Sequence, residues 1–109
     1  MSYCAISVEQ NISKYKMDES EHKLYEAILD LKNIDECRAF FKDLCTPKEI
    51  KDMKDRLMVA KLLYRGDLSY REISSQTKIS LATITRVARF LTQESYQGYK
   101  LILDRENKS

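Results

Sequence analysis

Glycine and proline are almost missing from this chain, with two glycines and one proline in 109 residues. A many-stranded sheet needs a turn every few residues, so this scarcity excludes it and favours long uninterrupted helices and an all-α fold. Histidine occurs once, as His22. No nucleophile–base pair, phosphate-cradling glycine loop or cysteine–histidine cluster with metal spacing can be found, which points away from an enzyme and from any metal or cofactor. The three cysteines, Cys4, Cys37 and Cys45, form no C-x-x-C pair. Their odd number fits reduced thiols, and Cys37 and Cys45 read as small core residues. The stretch Met1 to Lys16 lacks the basic start and apolar block of a secretory leader, and no run approaches the roughly 18 apolar residues of a membrane span. A cytoplasmic protein is expected.

An apolar fraction of 43% suffices for one domain core. Charge is unevenly spread: residues 1 to 45 carry 6 basic and 9 acidic side chains, net −3, and residues 46 to 91 carry 10 and 5, net +5. A solvated helical surface or a nucleic-acid footprint would each account for that local excess.

Residues 1 to 17 show little periodicity and read as an N-terminal arm, either mobile or a helix swapped into a partner. From 18 to 109 a single helical domain is expected. Asp18 with Glu21 forms a capping box ahead of Leu24, Ala27, Ile28 and Leu31 at helical spacing. Asp35 serves as the cap of a second helix, with Cys37, Phe40, Phe41 and Leu44 along its apolar face. Thr46-Pro47-Lys48-Glu49 combines a capping threonine, a proline at the first helical position and a glutamate at the third. The helix it opens should run to Arg65 and stop at Gly66 in the left-handed conformation. Ile50, Met53, Leu57, Ala60 and Tyr64 lie on one side of it and Met58, Leu62 and Leu63 on others. Such a helix needs cover on several sides, from a second subunit or from the chain's own helices.

The functional motif follows. Ser69-Tyr70-Arg71-Glu72 is another capping box, opening a short helix with Ile73 inward. Lys78-Ile79-Ser80 breaks and restarts the chain, and a longer helix from about Leu81 to Thr92 keeps Ile84, Val87, Ala88 and Leu91 inward. Short helix, tight turn and longer helix outline a helix-turn-helix over about 68 to 91. In such a motif the first helix and turn hold the second so that its N-terminal residues reach base edges in the major groove. Thr83 and Thr85 offer hydroxyls and methyls, Leu81 and Ala82 suit apolar contact, and Arg71 and Arg86 reach guanine or phosphate.

The run from Thr46-Pro47 to Leu91 resembles the tryptophan repressor family, above all in Leu62-Leu63-Tyr64-Arg65-Gly66-Asp67-Leu68-Ser69-Tyr70-Arg71-Glu72-Ile73 and Ala82-Thr83-Ile84-Thr85-Arg86, and within it the YerC/YecD branch. The resemblance implies a bacterial regulator that represses by occupying a promoter. It further implies a multi-helix bundle forming an intertwined homodimer, whose two heads read the halves of a palindromic operator about one turn of double-stranded DNA apart. The DNA contacts it implies are Tyr70, Arg71, Ser74, Leu81, Ala82, Thr83 and Thr85. It also implies an amino-acid effector wedged between core and recognition helix at Thr46, Arg56, Thr83 and Arg86.

Four departures qualify this. Val87 replaces a glycine and Phe90 a serine of the repressor's ligand pocket, so the effector is a metabolite other than tryptophan, or Phe90 stands in for it and binding is constitutive. Arg56 has Asp52 and Asp55 nearby as ion-pair partners. Lys78 stands at a turn position where the family has glycine, and Ser74 replaces an alanine, its hydroxyl expected to bond back to its own helix. A protein-interaction module, or a nonspecific nucleic-acid binder that kept the fold, is the alternative reading.

Overall fold

The computed structural model describes residues 16 to 108. The expected arm over 1 to 17 falls almost wholly outside them. Six helices form, and no strand occurs among the described residues: α1 Glu19–Leu29, α2 Ile34–Leu44, α3 Pro47–Arg65, α4 Tyr70–Thr77, α5 Leu81–Thr92 and α6 Gly98–Lys108. The chain divides into two units, Met1–Leu44 and Cys45–Ser109.

In the first unit Asp18 caps α1, its carboxylate accepting from Glu21 N at 2.8 Å. That bond, followed by one from the Ser20 hydroxyl, holds the Asp18 carboxyl below the usual carboxylate range. For α2 the cap differs from expectation. Asn33 Oδ1 accepts from Glu36 N at 2.9 Å and Glu36 Oε1 accepts from Lys32 N at 2.9 Å, so Asp35 sits inside the first turn. An amide and a carboxylate bracketing the turn satisfy two free N–H groups, which Asp35 could not do from its own position. Phe40 and Phe41 meet edge to face at 5.8 Å but are only half-buried, and neither α1 nor α2 buries any residue fully within the chain.

The second unit holds the core: Val59 and Ala60 of α3, Ile73 of α4, Ile79 of the turn, Ile84, Val87 and Leu91 of α5, and Leu103 of α6. Of the three expected capping boxes, Thr46 with Glu49 and Ser69 with Glu72 form in full, whereas at Asp18 only the bond from Glu21 N is made and the Glu21 carboxylate accepts from the Tyr25 hydroxyl; Gly66 ends α3 at φ 80°. The left-handed region is strain-free for glycine, and the Gly66 N–H donates back to Leu62 O at 3.3 Å to close the last turn. Helix α6 was not read from the sequence. It packs on α3 and α5 through Leu103, with Tyr64 donating a hydrogen bond to Asp104, which also accepts from Lys100 Nζ at 3.0 Å. These bonds, Tyr64's first, lower the Asp104 carboxyl and raise the Tyr64 phenol from their ordinary values.

Candidate nucleic-acid interface

Helix α5 is fixed on three sides, against α3, α4 and α6. Its buried stripe, Ile84, Val87 and Leu91, has one-turn spacing, so the opposite face is left to solvent. At its start the Ser80 hydroxyl accepts from Thr83 N and donates to Thr83 Oγ1, both at 3.1 Å. Leu81, Ala82 and Thr85 are exposed there, and so are Tyr70 and Arg71 at the start of α4. Thr83 is half-buried, its hydroxyl already engaged by Ser80.

Three side-chain bonds lock the turn between α4 and α5. Ser74 Oγ donates across the turn to Ile79 O at 2.7 Å; Thr77 Oγ1 donates to Ile73 O at 2.7 Å and accepts from Ile79 N at 3.1 Å. Ser74 is half-buried, and its bond runs across the turn and not back to α4 as expected, because the turn places the Ile79 carbonyl within hydrogen-bond reach of its hydroxyl. Between these anchors Lys78 takes φ 66°, ψ 18°, with its N–H on Ser74 O at 2.8 Å. For a residue with a Cβ that conformation costs about 1–2 kcal/mol. Lys78, Arg71 and Arg86 have no carboxylate within ion-pair distance among the described residues, unlike Arg65, paired with Asp67 at 3.0 Å, and Arg89, paired with Glu94 at 3.1 Å.

The four residues assigned to an effector are only partly brought together. Arg56 and Thr83 line a cleft of about 220 Å³ between α3 and α5 with Lys48, Asp52 and Asp55. The ion pairs expected of Arg56 go elsewhere: Lys48 takes Asp52 at 2.9 Å and Lys51 takes Asp55 at 2.7 Å. The Lys48 hydrogen bond is the main cause of the lowered Asp52 pKa, with a smaller contribution from the charge of Arg56. Every lining group is charged or carries a hydroxyl, so the cleft suits a small zwitterion and gives an indole no apolar wall. Thr46 is absent from this lining, its hydroxyl occupied as the α3 cap.

Arg86 is absent from it as well. Its guanidinium lies 4.6 Å over the ring of Phe90, with Arg89 at 5.2 Å from the same ring. The aromatic partner of Arg86 is thus the chain's own side chain one turn along α5, a contact that the spacing of 86 and 90 already contained. Val87 is 1% exposed within the core. A second, open cleft of about 330 Å³ lies beside Phe90, formed with Tyr96, Gln97, Gly98 and Tyr99. Among the described residues no group of histidine, cysteine or acidic side chains is arranged to hold a metal, and no helix is long and apolar enough to cross a membrane.

The family model described as Trp repressor protein matches residues 19 to 107, well beyond the stretch whose motifs carried the resemblance. The chain is 43% identical over 83 residues to YerC, an uncharacterised protein of Bacillus subtilis (strain 168), covering 76% of this chain and 78% of that one. Among solved structures it resembles a TrpR-like protein of Eubacterium eligens ATCC 27750, with TM-score 0.77, 39% identity and coverage of 87% and 95% of the two chains. A candidate Trp repressor of Staphylococcus aureus superposes with TM-score 0.78 at 36% identity, covering 99% of this chain and 98% of that one. A capped, side-chain-locked helix-turn-helix and a family match running through all six helices lead to one conclusion: the chain belongs to the Trp repressor family, whose members are DNA-binding regulators and not enzymes.

Proposed function

We propose that this protein is a sequence-specific transcriptional repressor of the bacterial cytoplasm that binds a palindromic operator as a homodimer. The observation that carries this reading is the presentation of α5: its inner face is buried, its turn is locked, and Leu81, Ala82 and Thr85 stand exposed at its start beside Tyr70 and Arg71. These five, with Thr83, are the DNA contacts, and Ser74 braces the turn behind them. Dimerisation is supported by the apolar side chains that a single chain leaves in water, including Leu29 at 83% and Ile34 at 81% exposure, with Leu44, Met53, Leu57 and Met58 also exposed. Large apolar surfaces of this kind are covered by a partner in soluble proteins.

For regulation, two readings have support. The charged cleft at Arg56 and Thr83 suits a small zwitterionic metabolite other than tryptophan. The stacking of Arg86 on Phe90 favours constitutive binding, with Phe90 bracing the recognition helix where a ligand's ring would lie. Binding-site selection from random duplexes at near-physiological salt tests the function. A palindrome with half-sites one turn apart is the expected product, bound without added metabolite if Phe90 acts as the brace. Arg71→Ala and Thr83→Ala should weaken binding to the selected site while leaving the dimer folded. Enrichment of no sequence, with or without a metabolite mixture, would leave the interaction-module or nonspecific-binder reading in its place.

A further inference from the structure

We infer that Lys78 is a DNA-phosphate contact, retained in a strained turn because its charge is used there; this rests on the DNA-binding reading above. Lys78 is one of two non-glycine residues with positive φ among the described residues, at φ 66°. The other, Gln97, spends its side chain locally, donating from Nε2 to Glu94 O at 2.8 Å. The Lys78 side chain is exposed and has no hydrogen bond or ion pair among the described residues, so no side-chain contact inside the fold offsets the cost of carrying lysine and not glycine at this turn. Backbone strain of this kind persists where function uses it.

Its place supplies the use. Lys78 caps α4 and stands two residues before Ser80, the cap of α5, so it lies at the turn that brings the recognition helix onto DNA. The bonds of Ser74 and Thr77 to Ile79, together with Lys78 N on Ser74 O, fix the backbone on both sides of it, so the lysine projects from a rigid point. A lysine reads no base from the turn, but an ammonium on a four-carbon stem is a point charge suited to the adjacent phosphate. The partner is the sugar–phosphate backbone, and the effect is on affinity and docking register, equal for every sequence.

Three variants test it on the selected operator and on an unrelated duplex, with melting measured alongside. Lys78→Gly relieves the strain and removes the charge: it should melt roughly 2–6 °C higher than the parent and yet bind DNA more weakly. One phosphate contact fewer lowers the salt slope by about 0.9 per protomer, which at about 0.15 M salt is an approximately fivefold loss, and about 30-fold when both heads are engaged. Lys78→Gln keeps the strain and loses the charge, so it should lose the same affinity on both duplexes with no gain in melting temperature. Lys78→Arg should keep the parental slope. Parental slope and affinity in Lys78→Gln, while Arg71→Ala still weakens operator binding, would overturn the inference and leave the DNA-binding reading standing. Absence of DNA binding by the parent protein at every salt concentration would overturn both.

Discussion

Replacing Val87 by glycine, the residue found there in the repressor, separates a core position from a ligand-pocket position. Val87 is 1% exposed and packed among Ile84, Leu91 and the buried residues of α3 and α4. Removal of its three side-chain carbons forfeits near 2.4 kcal/mol of burial at about 0.8 kcal/mol per carbon. The void left in a helix pinned on three sides adds about 1 kcal/mol, and glycine in place of valine within a helix about 0.4 kcal/mol. The total is roughly 3–4 kcal/mol, a large share of the 5–15 kcal/mol typical of a small protein. Urea denaturation at one fixed protein concentration, needed because a dimer's midpoint depends on it, should show the midpoint falling by about 1–3 M. Phe90→Ser is the internal comparison. Phe90 is half-buried, and its loss removes the cation–π contacts with Arg86 and Arg89 and part of an apolar face, so about 1–2 kcal/mol is expected. A Val87→Gly protein within 1 kcal/mol of the parent would refute the reasoning, because position 87 would then border open space and not the core.

Other predictions follow from the locked turn and from the α3–α6 contact. Ser74→Ala leaves the Ile79 carbonyl without its 2.7 Å partner, at a net cost of about 0.5–1 kcal/mol after alanine's better helix propensity is counted. Thermal melting should fall by roughly 2–6 °C with operator affinity of the folded protein unchanged; weakened operator binding at parental melting temperature would make Ser74 a DNA contact instead. The Tyr64–Asp104–Lys100 contact makes stability fall at both pH extremes. Asp104 has a lowered folded pKa, so its contribution is present above the unfolded value of 3.8 and is lost as pH falls through the lower folded one. Tyr64 is raised from 10.0, so its contribution is present below that value and lost as pH rises through the higher folded one. Asp104→Asn should therefore flatten the melting temperature as pH falls below 3.8 and again as it rises above 10.0, and an unaltered profile would exclude the contact as its source.

The parts of this fold that rest on near neighbours in sequence were legible from the residues alone. Thr46 with Glu49, Ser69 with Glu72 and Gly66 each act within one turn of chain, so side-chain type and spacing were enough to set the ends of α3 and the start of α4. The helix-turn-helix and the inward set Ile84, Val87, Ala88 and Leu91 followed from the 3.6-residue period, although Ala88 is only half-buried. Asn33 and Asp35 are both residue types that cap helices, and only the backbone decides that Asn33 is the one outside the first turn. Helix α6 is hard to see in the sequence because it holds a single fully buried residue, Leu103, with Tyr99 partly buried against the core and Leu101 and Ile102 facing water in the chain.

What tertiary structure alone decided is where free groups turn when several partners are within reach. Sequence spacing left Arg56 beside two acids, but Lys48 and Lys51 occupy them and turn Arg56 toward the cleft with Thr83. Spacing left the Ser74 hydroxyl to its own helix, but the turn offers it the Ile79 carbonyl. The left-handed Lys78 was conditional in sequence, since a lysine does not specify positive φ; the crossing of α4 and α5, held by the buried Ile73, Ile79 and Ile84, imposes it. Caps and periods are short-range and encoded by residue type, whereas the choice among competing partners depends on which helices pack together, and packing is a property of the whole unit.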